Sequence, residues 1–169
     1  VTETMRRRLT PEHASPVSRM ALTHSAVMPN LSFLNAPGAI QPGGAPVPFL
    51  TVKCWRPIAP DRIEVWSWFM VEKDASEAFK EASYRAYVHS FGASGVLEQD
   101  DAENWQSITE RSKGLLSRQV ALNYQMGLNH LEPDADWPGP GTAYPLDYAE
   151  YNQRHFWRKY FDYMLGDAA

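Results

Sequence analysis

A single cysteine, Cys54, is all that this chain of 169 residues contains. One cysteine excludes an intrachain disulfide, and it excludes any iron–sulfur cluster that must draw two cysteine ligands from this chain. It also fits a reducing, cytoplasmic setting. Cys54 stands in an apolar strand pattern, where a free cysteine serves as a small buried hydrophobe. Basic character is scarce too: 16 Lys and Arg stand against 20 Asp and Glu, for a net charge of −4. Nothing there suggests a nucleic-acid partner, and Arg6-Arg7-Arg8 is too short a run to change that. No stretch approaches the roughly 20 apolar residues that a membrane helix needs. Met5-Arg6-Arg7-Arg8-Leu9 leads into Thr10-Pro11-Glu12-His13, not into the apolar segment of a secretory signal. Histidines are few and scattered: His13, His24, His89, His130 and His155, with no two within a turn or two of each other.

What is present is enough for one ordinary domain, with 44% hydrophobic residues and six tryptophans to build a core. Residues 1–20 show little periodicity and read as an irregular N-terminal remnant, leaving 21–169 as the folded part. Leu22 to Leu34 reads as a strand bent at Pro29. Asn35 to Pro46 holds three prolines and three glycines and reads as a loop. Val47–Trp55 and Arg62–Glu72 read as a hairpin joined by the turn residues 56–61. Both faces of its second strand are largely apolar, which predicts that at least part of this hairpin is covered on both sides. Asp74, with Glu77 three residues on, has the form of a capping box for a helix that Phe91-Gly92 stops near Ser90. A second helix is expected from about Gln99 to Lys113. Residues 114–144 are loop-rich. Asp147 is placed to cap a last helix, which runs to Leu165 and ends at Gly166. Its aromatics suit a core or a subunit contact. Strands first and helices after them predict an α+β fold with an antiparallel sheet.

The densest chemical signal is Glu98-Gln99-Asp100-Asp101-Ala102-Glu103-Asn104-Trp105, which follows the glycine-punctuated turn Phe91-Gly92-Ala93-Ser94-Gly95. Four acids fall within six positions. They repel one another unless a cation compensates. One reading is a solvated helix start, where the dipole favours negative charge. The other is that one carboxylate turns inward and binds a metal. On a helix, Asp100 and Asp101 point about 100° apart, so one can face a metal while the other meets solvent.

The order Phe-Gly-x-x-Gly-x-x-Glu-x-Asp-Asp-x-Glu-Asn-Trp resembles the large (alpha) subunit of Rieske-type aromatic-ring-hydroxylating dioxygenases. Met28-Pro29-Asn30-Leu31-Ser32, Trp55-Arg56-Pro57-Ile58 with Glu64-Val65-Trp66-Ser67-Trp68, and Ala121-Leu122-Asn123-Tyr124-Gln125-Met126-Gly127-Leu128 resemble the same family, in the family's order, from about Leu22 to the last helix. The resemblance implies the C-terminal portion of a helix-grip catalytic domain. It implies a mononuclear Fe(II) held by two histidines and one carboxylate, a set that leaves a coordination face open. The matching carboxylate is Asp101. His24, Leu34, Phe91 and Leu97 match positions that line the substrate pocket. For His24 a half-buried, hydrogen-bonded role is an equal reading.

The resemblance further implies a [2Fe–2S] cluster in an N-terminal Rieske domain that these residues do not include. It implies a ferredoxin and an NAD-linked reductase as electron donors, a small (beta) subunit and an oligomer. The reaction it implies adds O2 to an aromatic ring to give a cis-dihydrodiol. None of the five histidines matches the family's paired iron-binding histidines, so the isolated chain is expected to be inactive. Ala93 stands where many relatives have proline, and Ala102 where many have glycine. The rival reading is a non-catalytic helix-grip module that binds an apolar ligand or serves in subunit assembly.

Overall fold

A computed structural model of the chain describes residues 2–19, 23–145 and 149–166. Four strands, β1 (Thr23–Val27), β2 (Leu31–Ala39), β3 (Pro46–Ala59) and β4 (Arg62–Met70), form one antiparallel sheet in the order β1-β2-β3-β4. The expected bent strand from Leu22 to Leu34 is two strands instead, turning at Met28-Pro29-Asn30; Leu22 itself lies outside the described residues. Pro29 has no N–H to give to a ladder, so the chain reverses there rather than bending.

The expected loop from Asn35 is also mostly strand. β2 continues through Pro37-Gly38, with Pro37 opposite Pro48. Pro37 lies past the last residue paired with β1, and Pro48 past the last paired with β4, so the sheet is only two strands wide where the missing donors fall. β3 likewise runs on through Arg56-Pro57-Ile58, with a register shift between Pro57 and Ala59 that absorbs the proline. The expected turn shrinks to Pro60-Asp61.

Helix α3 (Glu77–Ser90) packs on one face of this sheet. Ser76, not Asp74, is its cap: the Phe79 amide donates to Ser76 Oγ at 3.3 Å. Glu77 is therefore the first helical residue and pairs with Lys80 at 2.9 Å. The helix stops as expected, with the amides of Phe91 and Gly92 both bonded to the Tyr87 carbonyl. Its inner face is small, with Ser83, Ala86 and Ser90 buried beside Tyr87. That lets the backbone come close to Gly38, where an added Cβ would lie 2.5 Å from Ser90 Oγ. Ala36, Phe49, Ala86 and Tyr87 form the core, flanked by Leu34, Val47, Phe69 and Phe91. Polar groups under the helix find partners: Ser83 Oγ donates to the Pro48 carbonyl at 2.7 Å, and Tyr87 Oη lies 2.9 Å from Ser67 Oγ.

The far face of the sheet is bare among the described residues. Trp66, Trp68 and Met70 are 52%, 46% and 48% exposed. The expectation of cover on both sides of β4 fails there, because α3 takes only the opposite face. Cys54, on this bare face opposite Trp66, is half-buried and receives a long contact from Asn30 Nδ2 at 3.5 Å.

Residues 22–121 make up one unit, and residues 1–21 with 122–169 make up another. In the second, the segment expected to be irregular forms two helices, α1 (Thr2–Arg8) and α2 (Pro11–Arg19). The last helix spans Tyr151–Leu165 and ends at Gly166 in a left-handed conformation, φ 71°. The expected cap Asp147 lies outside the described residues. Arg154 of this helix donates to the carbonyls of Tyr124 and Met126, and Tyr151 Oη reaches those of Gly127 and Leu131. Together they pin the Asn123–Leu131 loop. The helix's aromatics stack on one another rather than being buried among the described residues.

Candidate functional site

Strand alternation puts Phe49, Thr51, Lys53 and Trp55 of β3 on the face that α3 covers. Registered partners share a face, so His24, Leu34, Thr51 and Phe69 form one row across all four strands. The next row is Ala26, Ser32, Lys53 and Ser67. Two of the predicted pocket residues, His24 and Leu34, are thus direct neighbours. Leu34 and Phe91 both pack against the core cluster. His24 is exposed at its place on the edge strand.

The acidic stretch lies on helix α4 (Val96–Ser112), which begins three residues earlier than expected. Gly95 is its cap, with φ −70° and ψ 145°, and accepts from the Gln99 amide at 3.0 Å. Glu98 is therefore the acid in the first turn, where the dipole favours it. Asp100 and Asp101 fall in the second turn, where that effect fades. Glu98 is also the acid that turns inward. It pairs with Lys53 of β3, and their side chains are only 15% and 7% exposed. The Lys53 ammonium lies 5.5 Å from the Phe91 ring centroid and 5.8 Å from that of Trp55. Two turns on, Trp105 meets Trp55 edge to face at 5.2 Å.

Asp101 is half-buried, Asp100 exposed, and Leu97 47% exposed. Among the described residues Asp101 takes part in no ion pair. Its carboxyl is an oxygen donor outside every ion pair among the described residues, which suits the carboxylate part of an iron centre. The rest of such a centre is not assembled: among the described residues no three His, Cys, Asp or Glu side chains converge as a metal site requires.

A cleft of about 360 Å³ lies elsewhere, at the end of the sheet beside α3, lined by Phe49, Leu50, Met70 and Phe79 among others. It includes none of the predicted pocket residues. Lys53 and its pairing with Glu98 were not foreseen. A lone cation at an inward-facing strand position, with a cluster of acids further along the chain, was the signal that could have found them.

The profile of the ring hydroxylating alpha subunit (catalytic domain) family matches residues 2–166. In structure the chain is similar to naphthalene 1,2-dioxygenase from Rhodococcus sp., solved with bound indole, with a TM-score of 0.89 and 49% identity over 99% of this chain and 38% of that one. In sequence it is 34% identical to the biphenyl dioxygenase alpha subunit of Metapseudomonas furukawaii, over 87% of this chain and 30% of the relative. It is 28% identical to the N,N-dimethyl phenylurea N-demethylase alpha subunit of Sphingobium sp. (strain YBL2), over 84% of this chain and 31% of the relative. The chain thus spans about a third of the length of its curated relatives. With that profile spanning residues 2–166 and the solved dioxygenase matching its fold, the chain belongs to the ring-hydroxylating alpha subunit family, as a piece of its α+β catalytic domain.

Proposed function

We propose that this chain is the C-terminal part of the catalytic domain of an aromatic-ring-hydroxylating dioxygenase, and that Asp101 supplies the single carboxylate ligand of a mononuclear iron. The observation that carries this reading is the 49% identity to a naphthalene 1,2-dioxygenase, sustained over 99% of the chain at a TM-score of 0.89. The half-buried, unpaired Asp101 agrees with it. The two imidazoles would come from residues outside these 169. Bound iron would supply the site for activating O2, and the overall reaction would place both oxygen atoms on the ring as a cis-dihydrodiol.

This chain's own residues shape the substrate side. Leu34 and the Phe91 ring give an apolar wall against which a flat aromatic can lie, with His24 as a polar group at the sheet edge. Leu97, one helical turn before Asp101, would border the same space. An NAD-linked reductase and a ferredoxin would deliver electrons through a [2Fe–2S] cluster elsewhere in the subunit, and a small beta subunit and oligomeric assembly would complete the enzyme. One relative, 28% identical, is named as an N-demethylase alpha subunit, which makes N-demethylation the alternative reaction to test.

A hybrid tests both outcomes. These 169 residues replace the matching segment of the Rhodococcus naphthalene dioxygenase alpha subunit, and the products from naphthalene and from an N-methylated aryl urea are compared. A ring cis-diol is the expected product. Release of formaldehyde without a diol would favour demethylation. A folded hybrid that holds no iron would overturn the assignment of Asp101.

A further inference from the structure

We propose that Lys53 and Trp55 of β3 act through Glu98 and Trp105 as positioning residues that fix the part of α4 carrying Asp101. The inference rests on the reading of Asp101 as a metal ligand, and it adds how that carboxylate is held in place. No residue of α4 is buried, so ordinary core packing sets neither its height nor its rotation. Beyond the turn at Gly95 that joins it to α3, two side-chain contacts with β3 hold it. The first is the ion pair between Lys53 and Glu98, nearly closed to solvent on both sides. The second is the edge-to-face contact of Trp55 with Trp105 at 5.2 Å.

The spacing makes these two contacts a clamp. Lys53 and Trp55 are two apart on a strand, hence on one face. Glu98 and Trp105 are seven apart on a helix, two turns along one stripe. One contact would leave the helix free to pivot. Two contacts on one line fix both slide and rotation, and Asp101 lies between them, three residues after Glu98 and four before Trp105. The charged member adds registry. A lysine this enclosed is destabilising without its carboxylate, so a helix shifted by one turn would strand it. Lys53 also lies over the Phe91 ring at 5.5 Å, which ties the clamp to the wall assigned to the substrate.

Amide exchange in the 169-residue chain reads the position of α4 directly, and iron content in the hybrid subunit reads its consequence. In Lys53→Met, exchange of residues 99–104 should accelerate at least about tenfold while the core amides of α3 stay within about twofold, since local opening is separable from global unfolding. Iron retention in the hybrid should weaken by about tenfold, as is usual when a group that orients a ligand is lost. Trp105→Ala should act in the same direction, and Lys53→Arg, which keeps the charge, should restore most of the protection. The double variant Lys53→Met/Glu98→Leu separates positioning from stability. It removes the unpaired charge, so melting should recover, while iron stays weak because an apolar pair lacks the directional contact.

Recovery of both melting and iron in that double variant would overturn the proposal, as would unchanged exchange of residues 99–104 in Lys53→Met. Asp101→Ala tells this failure apart from failure of the underlying reading. If that variant keeps its iron, the ligand assignment is wrong whatever Lys53 does. If it loses iron while Lys53→Met keeps it, the ligand stands and the clamp falls.

Discussion

Replacing Gly95 by alanine tests whether the start of α4 is held against the end of α3 as closely as the structure shows. A Cβ at Gly95 would lie 2.4 Å from the Ser90 carbonyl oxygen, 2.5 Å from its carbon and 2.9 Å from the Phe91 nitrogen. All three are backbone atoms, so no rotamer change relieves the clash. Torsion is not the obstacle, because φ −70° and ψ 145° suit any residue. The cost is overpacking, about 1–3 kcal/mol. Stiffening of the unfolded chain by alanine offsets about 0.4–1 kcal/mol of that. The net loss is therefore about 1–2 kcal/mol, and at roughly 4–8 °C per kcal/mol for a unit of this size the melting temperature should fall by at least about 4 °C. In the hybrid subunit the helix must also move, and a displacement of about 1 Å at a reacting centre can cost about 100-fold in turnover. Gly43→Ala is the control. That glycine sits at φ +73° with nothing near its Cβ, so alanine there should cost about 1 kcal/mol through its torsion alone and leave turnover unchanged. Far-UV circular dichroism during heating measures both variants. A Gly95→Ala chain that melts within about 1 °C of the parent would refute the close approach, and with it the argument that this turn sets the start of α4.

Three other outcomes are expected. In the hybrid subunit, Asp101→Ala should lower iron affinity by about 100-fold or more with the fold retained, while exposed Asp100→Ala should keep its iron; metal analysis of both decides, and the reverse pattern would move the ligand to Asp100. The isolated chain should self-associate through the bare sheet face, and Trp66→Lys with Trp68→Lys should return it toward monomer in sedimentation, since large exposed apolar patches recruit partners. Arg19, through its hydrogen bond, and then the Asp136 amide hold the Asp134 carboxyl below its usual range, so this contact contributes stability above about pH 4 and loses it as the pH falls through the lowered value. Trp137, whose ring lies 5.4 Å from the Arg19 guanidinium, reports that loss by fluorescence, and Asp134→Asn should abolish the acid transition.

Much of the fold was legible in the sequence because the relevant signals are local. The hairpin expected over Val47–Trp55 and Arg62–Glu72, the stop at Phe91-Gly92 and the end at Gly166 each depend on a few neighbouring residues; the stops stand where they were expected, and the strands differ from expectation only at their ends. The misses share a cause. Proline was read as a breaker at positions 37 and 57, yet each lies where the ladder is narrow or shifted and no donor is missed. The capping box at Asp74 had the right composition, but Ser76 sits nearer the point where the chain enters the helix. Local pattern cannot tell which of two good caps tertiary packing selects. The bare face of β4 was misread for a related reason: apolar residues announce that a surface wants cover, not what provides it.

Of the candidate site, the sequence offers residue types and their order, while the contacts between them depend on packing. A motif names residue types in order, so it could single out Asp101, His24, Leu34, Phe91 and Leu97 as candidates without any knowledge of distance. It could not show which of the four acids meets a cation, because that depends on where α4 lies over β3. Had the helix begun at Gln99, Glu98 would have stood outside it, and nothing would have met Lys53. With the start at Val96, Glu98 enters the first turn, faces the sheet and neutralises the only lysine of β3, and Asp101, one turn on, keeps its carboxylate unspent among the described residues. The acidic cluster thus divides by geometry: Glu98 pairs with Lys53 under the helix, and Asp101 stays outside every ion pair among the described residues.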